Sequence, residues 1–136
     1  MPGLLETINN DTQLRRRTTI IEVPRLQPVI DDHDVLGIVG EYAADAAIGV
    51  AQDVDSSEFA GRLVHAANRE FGVMVAYIIS AIRRALLDDV AAVSLSHFAN
   101  AYERKTNCPR FANPFLEKDF ERIDVKAWLV SEEAQI

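Results

Sequence analysis

From Asp31 onward, the apolar residues recur at intervals of three and four, and this spacing constrains the fold more than any other feature of the chain. It places apolar side chains along one face of an α-helix, whereas a half-buried strand alternates at every second residue. Aspartate or serine precedes several of these stretches and can cap a helix N-terminus. Aromatic residues make up only 7% of the chain, and alanine is frequent. The sequence therefore predicts a mainly α-helical fold.

Four helices are predicted between Asp31 and Lys105. Their expected bounds are Asp31 or Asp32 to about Gln52, Ser56 or Ser57 to about Arg69, Val73 to Leu87, and Ser96 to about Lys105. Gly72 is expected to mark the break between the second and third helices. The third helix is apolar around much of its circumference, which predicts that it lies at the centre of a four-helix bundle. The residues expected to form one core are Phe59, Leu63, Ile78, Ile82 and Phe98. The residues 93–95 are expected to be briefly extended, and the chain after Thr106 to pack along the bundle surface.

The N-terminal residues predict a different structure. Residues 1–17 are expected to form a short helical piece that ends in three arginines, and Thr18–Val23 is β-branched and predicts a strand. A lone strand has no pairing partner, so we interpret it as the remnant of a larger sheet. The expected organisation is a remnant with a linker over residues 1–30, a helical domain over 31–107, and an extension over 108–136 with a frayed end.

The net charge of −7 is distributed unevenly along the chain. Residues 31–60 contain eight acidic and no basic side chains, whereas residues 61–136 contain ten of each. A globally basic nucleic-acid binder is therefore not expected, because phosphate neutralisation requires clustered Lys and Arg. A local basic patch on another face remains open.

The sequence contains no motif for nucleotide hydrolysis of its own. It has no Gly-x-x-x-x-Gly-Lys-Ser/Thr phosphate loop and no apolar strand that ends in an acidic pair for magnesium. One cysteine, Cys108, excludes an internal disulfide, and the three histidines lack the spacing of metal ligands. We therefore expect no enzymatic activity, no metal site and no cofactor in this chain. No apolar run approaches the length of a membrane span, so we expect a cytoplasmic protein without a membrane partner.

Two basic clusters are candidate sites. Arg16 and Arg17, in the arginine triplet, could stabilise a transferred phosphoryl group across a subunit interface, or they could simply cap helix carbonyls. Arg62, His65 and Arg69 recur at i, i+3 and i+7 and could contact DNA, or they could form a solvated helix face. The pairs Arg83–Arg84 and Arg104–Lys105 are interpreted in the same way, as solvated residues or part of a basic rim.

Four segments together resemble the C-terminal part of the AAA+ ATPases of the TniB/TnsC type, which regulate DNA transposition. These segments are DTQLRRRTTIIEVPRL, FAGRLVHAANREFGVMVAYIISAIRRAL, SLSHFANAYERKT and NPFLEKDF. The last is the most specific to that family. The others resemble AAA+ lids more broadly, in which a helix–Gly–helix pair is followed by a short extended piece and a Ser/Thr-capped helix.

The resemblance implies a four-helix lid that follows the last strand of an ATPase core, Thr18–Val23. It implies that Arg17, with Arg16 as a substitute, is the arginine finger that acts in trans. The family's phosphate loop and magnesium ligand would precede Met1, so ATP and magnesium belong to the intact family rather than to this chain. A second sensing arginine would fall at Val75, where this sequence departs from the family.

The function that the resemblance implies is interaction without ATP hydrolysis. Self-association, or binding to an AAA+ ATPase or a transposase, is the expected mode, and nucleic acid could be present in the intact assembly. Two alternatives are a free-standing helical adaptor that binds a protein through the acidic segment 31–60, and a weak DNA-binding module.

Overall fold

The computed structural model describes residues 25–27 and 31–128. These residues form a mainly helical fold, as predicted, with a short two-stranded parallel sheet. The predicted strand Thr18–Val23 and the candidate residues Arg16 and Arg17 lie outside the described residues. The elements are α1 (Asp32–Asp45), β1 (Gly49–Val50), α2 (Ser57–Ala66), α3 (Phe71–Leu87), β2 (Ala92–Val93) and α4 (Leu95–Thr106). Short 3-10 turns occupy Gln52–Val54, Arg110–Ala112 and Phe120–Arg122.

Serine caps begin two of the helices. The Ser56 hydroxyl accepts a hydrogen bond from the Phe59 backbone N–H at 3.1 Å, as the sequence predicts for the second helix. The fourth helix begins after Ser94 rather than at Ser96. The reason is a reciprocal cap in which the Ser94 backbone N–H donates to Nδ1 of His97 at 2.9 Å. Histidine here takes the place that Glu or Gln holds in the common capping box.

The prediction that the first helix extends to Gln52 is wrong. Ala47 adopts a φ of 58°, which interrupts the helical backbone soon after Asp45. The chain then extends, and Gly49 and Val50 pair in parallel with Ala92 and Val93. This pairing ties the connection after α1 to the connection before α4.

The break between α2 and α3 lies before Gly72, not at it. Asn68 and Arg69 both adopt positive φ, 53° and 62°, and they end the helix at Ala66 rather than at Arg69. Asparagine tolerates this left-handed conformation better than most residues. Gly72 is instead the second residue of α3. The glycine therefore does not make this turn.

A single core joins the four helices. It contains Phe59, Leu63, Ile78, Ile82 and Phe98, the five residues that the sequence predicts to pack together. The helix α3 is only partly central, however, because one side of it is exposed at Ile79 and Leu86.

The C-terminal segment contributes to this core as well as packing on the surface. Phe115 is fully buried, and its ring centroid lies 5.8 Å from that of Phe98 and 6.1 Å from that of Phe59. The Asn113 side chain donates to the Ala99 carbonyl at 3.0 Å and accepts from the Phe115 N–H at 3.0 Å. The segment is thus an integral part of the packed structure.

Candidate functional site

Arg62 is held within the fold. The side chain is only 11% exposed, and it donates to the Pro114 carbonyl at 2.9 Å and to the Glu117 carbonyl at 2.6 Å. It also forms an ion pair with Glu58 at 2.8 Å and lies 4.8 Å above the Phe120 ring centroid. The guanidinium therefore fastens the C-terminal segment to α2. The alternative interpretation of Arg62 as part of a solvated face is wrong.

His65 contributes to the same contact, whereas Arg69 does not. Nε2 of His65 lies 2.8 Å from the Ile123 carbonyl oxygen, and the ring meets Phe120 edge-on at 5.8 Å. Arg69 lies beyond the end of α2, is exposed, and its backbone carbonyl accepts from the Leu26 N–H. Arg69 therefore does not share a helix face with Arg62 and His65, because α2 ends at Ala66.

A different set of basic residues is brought together between α3 and α4. The Tyr77 ring lies near that of Tyr102, and Asp88 lies near His97, so the two helices are antiparallel. Between them lies a cleft of about 380 Å³. We name it the basic cleft; its lining residues are Ala76, Tyr77, Ser80, Arg83, Arg84, Leu87, Asn100, Ala101, Arg104 and Lys105.

The basic cleft concentrates positive charge with little neutralisation. Its lining contains four cationic side chains and no carboxylate. Arg84 forms an ion pair with Asp88 at 3.2 Å, outside the lining. The side chains of Arg83, Arg104 and Lys105 make no hydrogen bond or ion pair with any other described residue. These three exposed cations are therefore not neutralised by any described residue.

On the other side of α3 lies a second surface, which we name the apolar groove. It has a volume of about 330 Å³ and is lined by Tyr42, Asp45, Ala46, Ile79, Ile82, Arg83 and Leu86. Ile79 is 40% exposed and Leu86 is 50% exposed. Arg83 lines both surfaces, so α3 is their shared wall.

Among the remaining ionisable groups, Cys108 and Tyr102 are buried. No cluster of His, Cys, Asp and Glu that could hold a metal ion exists among residues 25–27 and 31–128. Cys108 is buried, and burial raises the pKa of its thiol, which suppresses the reactive thiolate. Burial likewise raises the pKa of the Tyr102 hydroxyl, with smaller contributions from Cys108 and Asp124. Within the described part of the chain, no helix is long and apolar enough to span a bilayer.

Comparison with known proteins adds no relative to this description. No protein-family model, curated protein or solved structure matches the chain.

Proposed function

We propose that this chain is a helical interaction domain of the AAA+ lid type, related to the lids of TniB/TnsC-type transposition regulators. It associates with a second copy, or with an AAA+ ATPase or transposase, and does not hydrolyse ATP itself. In such an assembly, Arg17, with Arg16 as its substitute, would reach the nucleotide of a neighbouring subunit.

The observation that carries this proposal is the apolar groove. Tyr42, Ile79 and Leu86 line this groove together and leave apolar surface exposed along it. Exposed apolar surface of this kind, rimmed by charged residues, is typical of protein contact sites. Here Asp45 and Arg83 supply one charge of each sign at the rim, which favours a partner with complementary charges.

The order of elements gives independent support. The resemblance implies a helix pair, then a short extended piece, then a serine-capped helix. The chain follows α2 and α3 with β2 and then with α4, which Ser94 caps. Fold alone does not determine function, so the contact surface remains the stronger argument.

Self-association provides the test. We expect the purified chain to form concentration-dependent oligomers in sedimentation equilibrium, and Ile79→Asp with Leu86→Asp to shift it to monomer, because a charge would be buried in the interface. Phe111→Asp is the matched control, since Phe111 is also exposed and lies outside the groove. Its oligomers should persist.

Two results would overturn the proposal. One is a wild-type chain that remains monomeric at its highest soluble concentration and forms no chemically cross-linked complex with a TniB/TnsC-type ATPase. The other is ATP turnover by the purified chain that Arg17→Ala abolishes, because the chain would then contain an active site of its own.

A further inference from the structure

We infer that the basic cleft binds successive phosphate groups of a nucleic-acid backbone. The chain as a whole is acidic, with 21 Asp and Glu against 14 Lys and Arg. The lining of the basic cleft nevertheless contains four cations and no acid. Such local segregation against the overall charge is the electrostatic pattern expected of a phosphate-binding surface.

Stabilisation of helix ends does not account for this arrangement. Arg84 lies in the last turn of α3, and Arg104 and Lys105 lie in the last turn of α4, where cations favour the helix dipole. That effect acts along each helix separately and requires neither a shared cleft nor a lining free of carboxylates. It also does not explain Arg83, which lies one residue further from the helix end.

The cations form a row along the cleft. The contacts Tyr77–Tyr102 and Asp88–His97 place Arg104 level with residues 76–80 of α3. Arg84 therefore lies about six residues further along the helix axis, roughly 9 Å at 1.5 Å per residue. A row of this length is better suited to a chain of phosphates than to one small anion. Ser80 and Asn100 add neutral hydrogen-bond donors between the charges.

An acidic helical peptide fits the basic cleft less well. Such a peptide would anchor apolar side chains in the groove at helical spacing. The cleft offers Ala76, Ala101 and the exposed Leu87, while Tyr77 is buried beneath them. Because no exposed aromatic ring in the lining could stack on a base, the expected contact is with the backbone and independent of base sequence.

The test is DNA binding by fluorescence anisotropy as a function of salt. Three or four neutralised phosphates give a slope of log K against log salt of about −2.7 to −3.6 on duplex DNA. Affinity should then fall about 40- to 150-fold between 50 and 200 mM salt. In the triple variant Arg84→Gln, Arg104→Gln and Lys105→Gln, the slope of log K against log salt should become less negative by about 2.7. None of these three residues lines the apolar groove.

A charge-matched control separates the cleft from general electrostatics. The variant Lys118→Gln, Arg122→Gln and Lys126→Gln removes three exposed cations outside the basic cleft and should retain the wild-type slope. Arg104→Lys should also retain it, because the charge remains. Circular dichroism establishes that each variant is folded.

Three outcomes would overturn the inference. These are no binding at low salt, an equal loss in the cleft and control variants, and displacement of DNA by poly-glutamate of equal charge as effectively as by unlabelled DNA. Tripolyphosphate should compete only weakly. Strong competition at equal phosphate concentration would be a fourth such outcome, because it would indicate a small-anion site. Ile79→Asn changes the apolar groove without adding a charge beside Arg83 and should bind DNA normally, so this test is independent of the proposed association.

Discussion

Replacement of Phe115 by alanine should destabilise the whole domain, although Phe115 lies outside the four helices. Its ring is buried among four aromatic rings, with centroid distances of 5.8 Å to Phe98, 6.1 Å to Phe59, 6.3 Å to Tyr102 and 6.4 Å to Tyr77. Truncation removes the buried ring and leaves a cavity that these neighbours can only partly fill. The expected loss in free energy of unfolding is about 3–5 kcal/mol.

Phe111 provides the control for this prediction. It lies four residues earlier in the same segment but is 72% exposed, so Phe111→Ala should change stability by no more than about 0.5 kcal/mol. Urea unfolding followed by circular dichroism measures both. With a slope of about 2 kcal/mol per M, Phe115→Ala should lower the midpoint by about 2 M.

The conservative variant Phe115→Leu keeps the prediction testable if Phe115→Ala does not fold. It should cost less than about 1.5 kcal/mol, because it preserves most of the volume. Equal small effects of Phe111→Ala and Phe115→Ala would show that the C-terminal segment is only a surface extension, and the reasoning would be refuted.

Two further predictions concern α3 and the cysteine. Ile82→Ala should lower the free energy of unfolding, measured in urea, by about 2–5 kcal/mol. Ile79→Ala, at an exposed site on the same helix, should lower it by well under half of that amount. Equal losses would mean that α3 does not have one buried side. Cys108 should react with iodoacetamide much more slowly in the folded chain than in urea at the same pH, because its raised pKa lowers the thiolate fraction and burial blocks access; equal rates would contradict its burial.

The helices themselves could be predicted because their signals are local. Apolar spacing identified all four helices between Asp31 and Lys105, and Ser56 marked a true cap. Phe59, Leu63 and Phe98 were placed in the core by the same spacing. Periodicity and capping depend only on residues within one or two turns, which a single sequence displays.

The ends of the helices were harder to predict because non-glycine residues adopt left-handed backbone there. Ala47 and Arg69 have positive φ although neither residue type favours it. Tertiary contacts hold them: the β1–β2 pairing follows Ala47, and the Leu26 N–H bonds to the Arg69 carbonyl. Gly72 was the predicted helix break, but the turn begins four residues earlier, at Asn68.

The two candidate surfaces could not be predicted from spacing, because they depend on contacts between distant segments. Arg62 binds carbonyls 52 and 55 residues away, so its place on a helical stripe gave no indication of its burial. The four cations of the basic cleft come from α3 and α4, and only the antiparallel packing of these helices places them together. Dibasic pairs near the ends of two consecutive helices were the available signal, and it is a weak one.

The contrast between Arg62 and the cleft cations indicates where charge is available for binding. Desolvation of a buried guanidinium is costly, and Arg62 offsets that cost with hydrogen bonds to Pro114, Glu117 and Glu58, so its charge is already used by the fold. Arg104 and Lys105 make no such bonds with the described residues and keep their hydration and counterions. A phosphate chain that displaces those counterions gains their release entropy without breaking any intramolecular contact. Removal of Arg62 should therefore weaken the fold, whereas removal of Arg104 should weaken only binding.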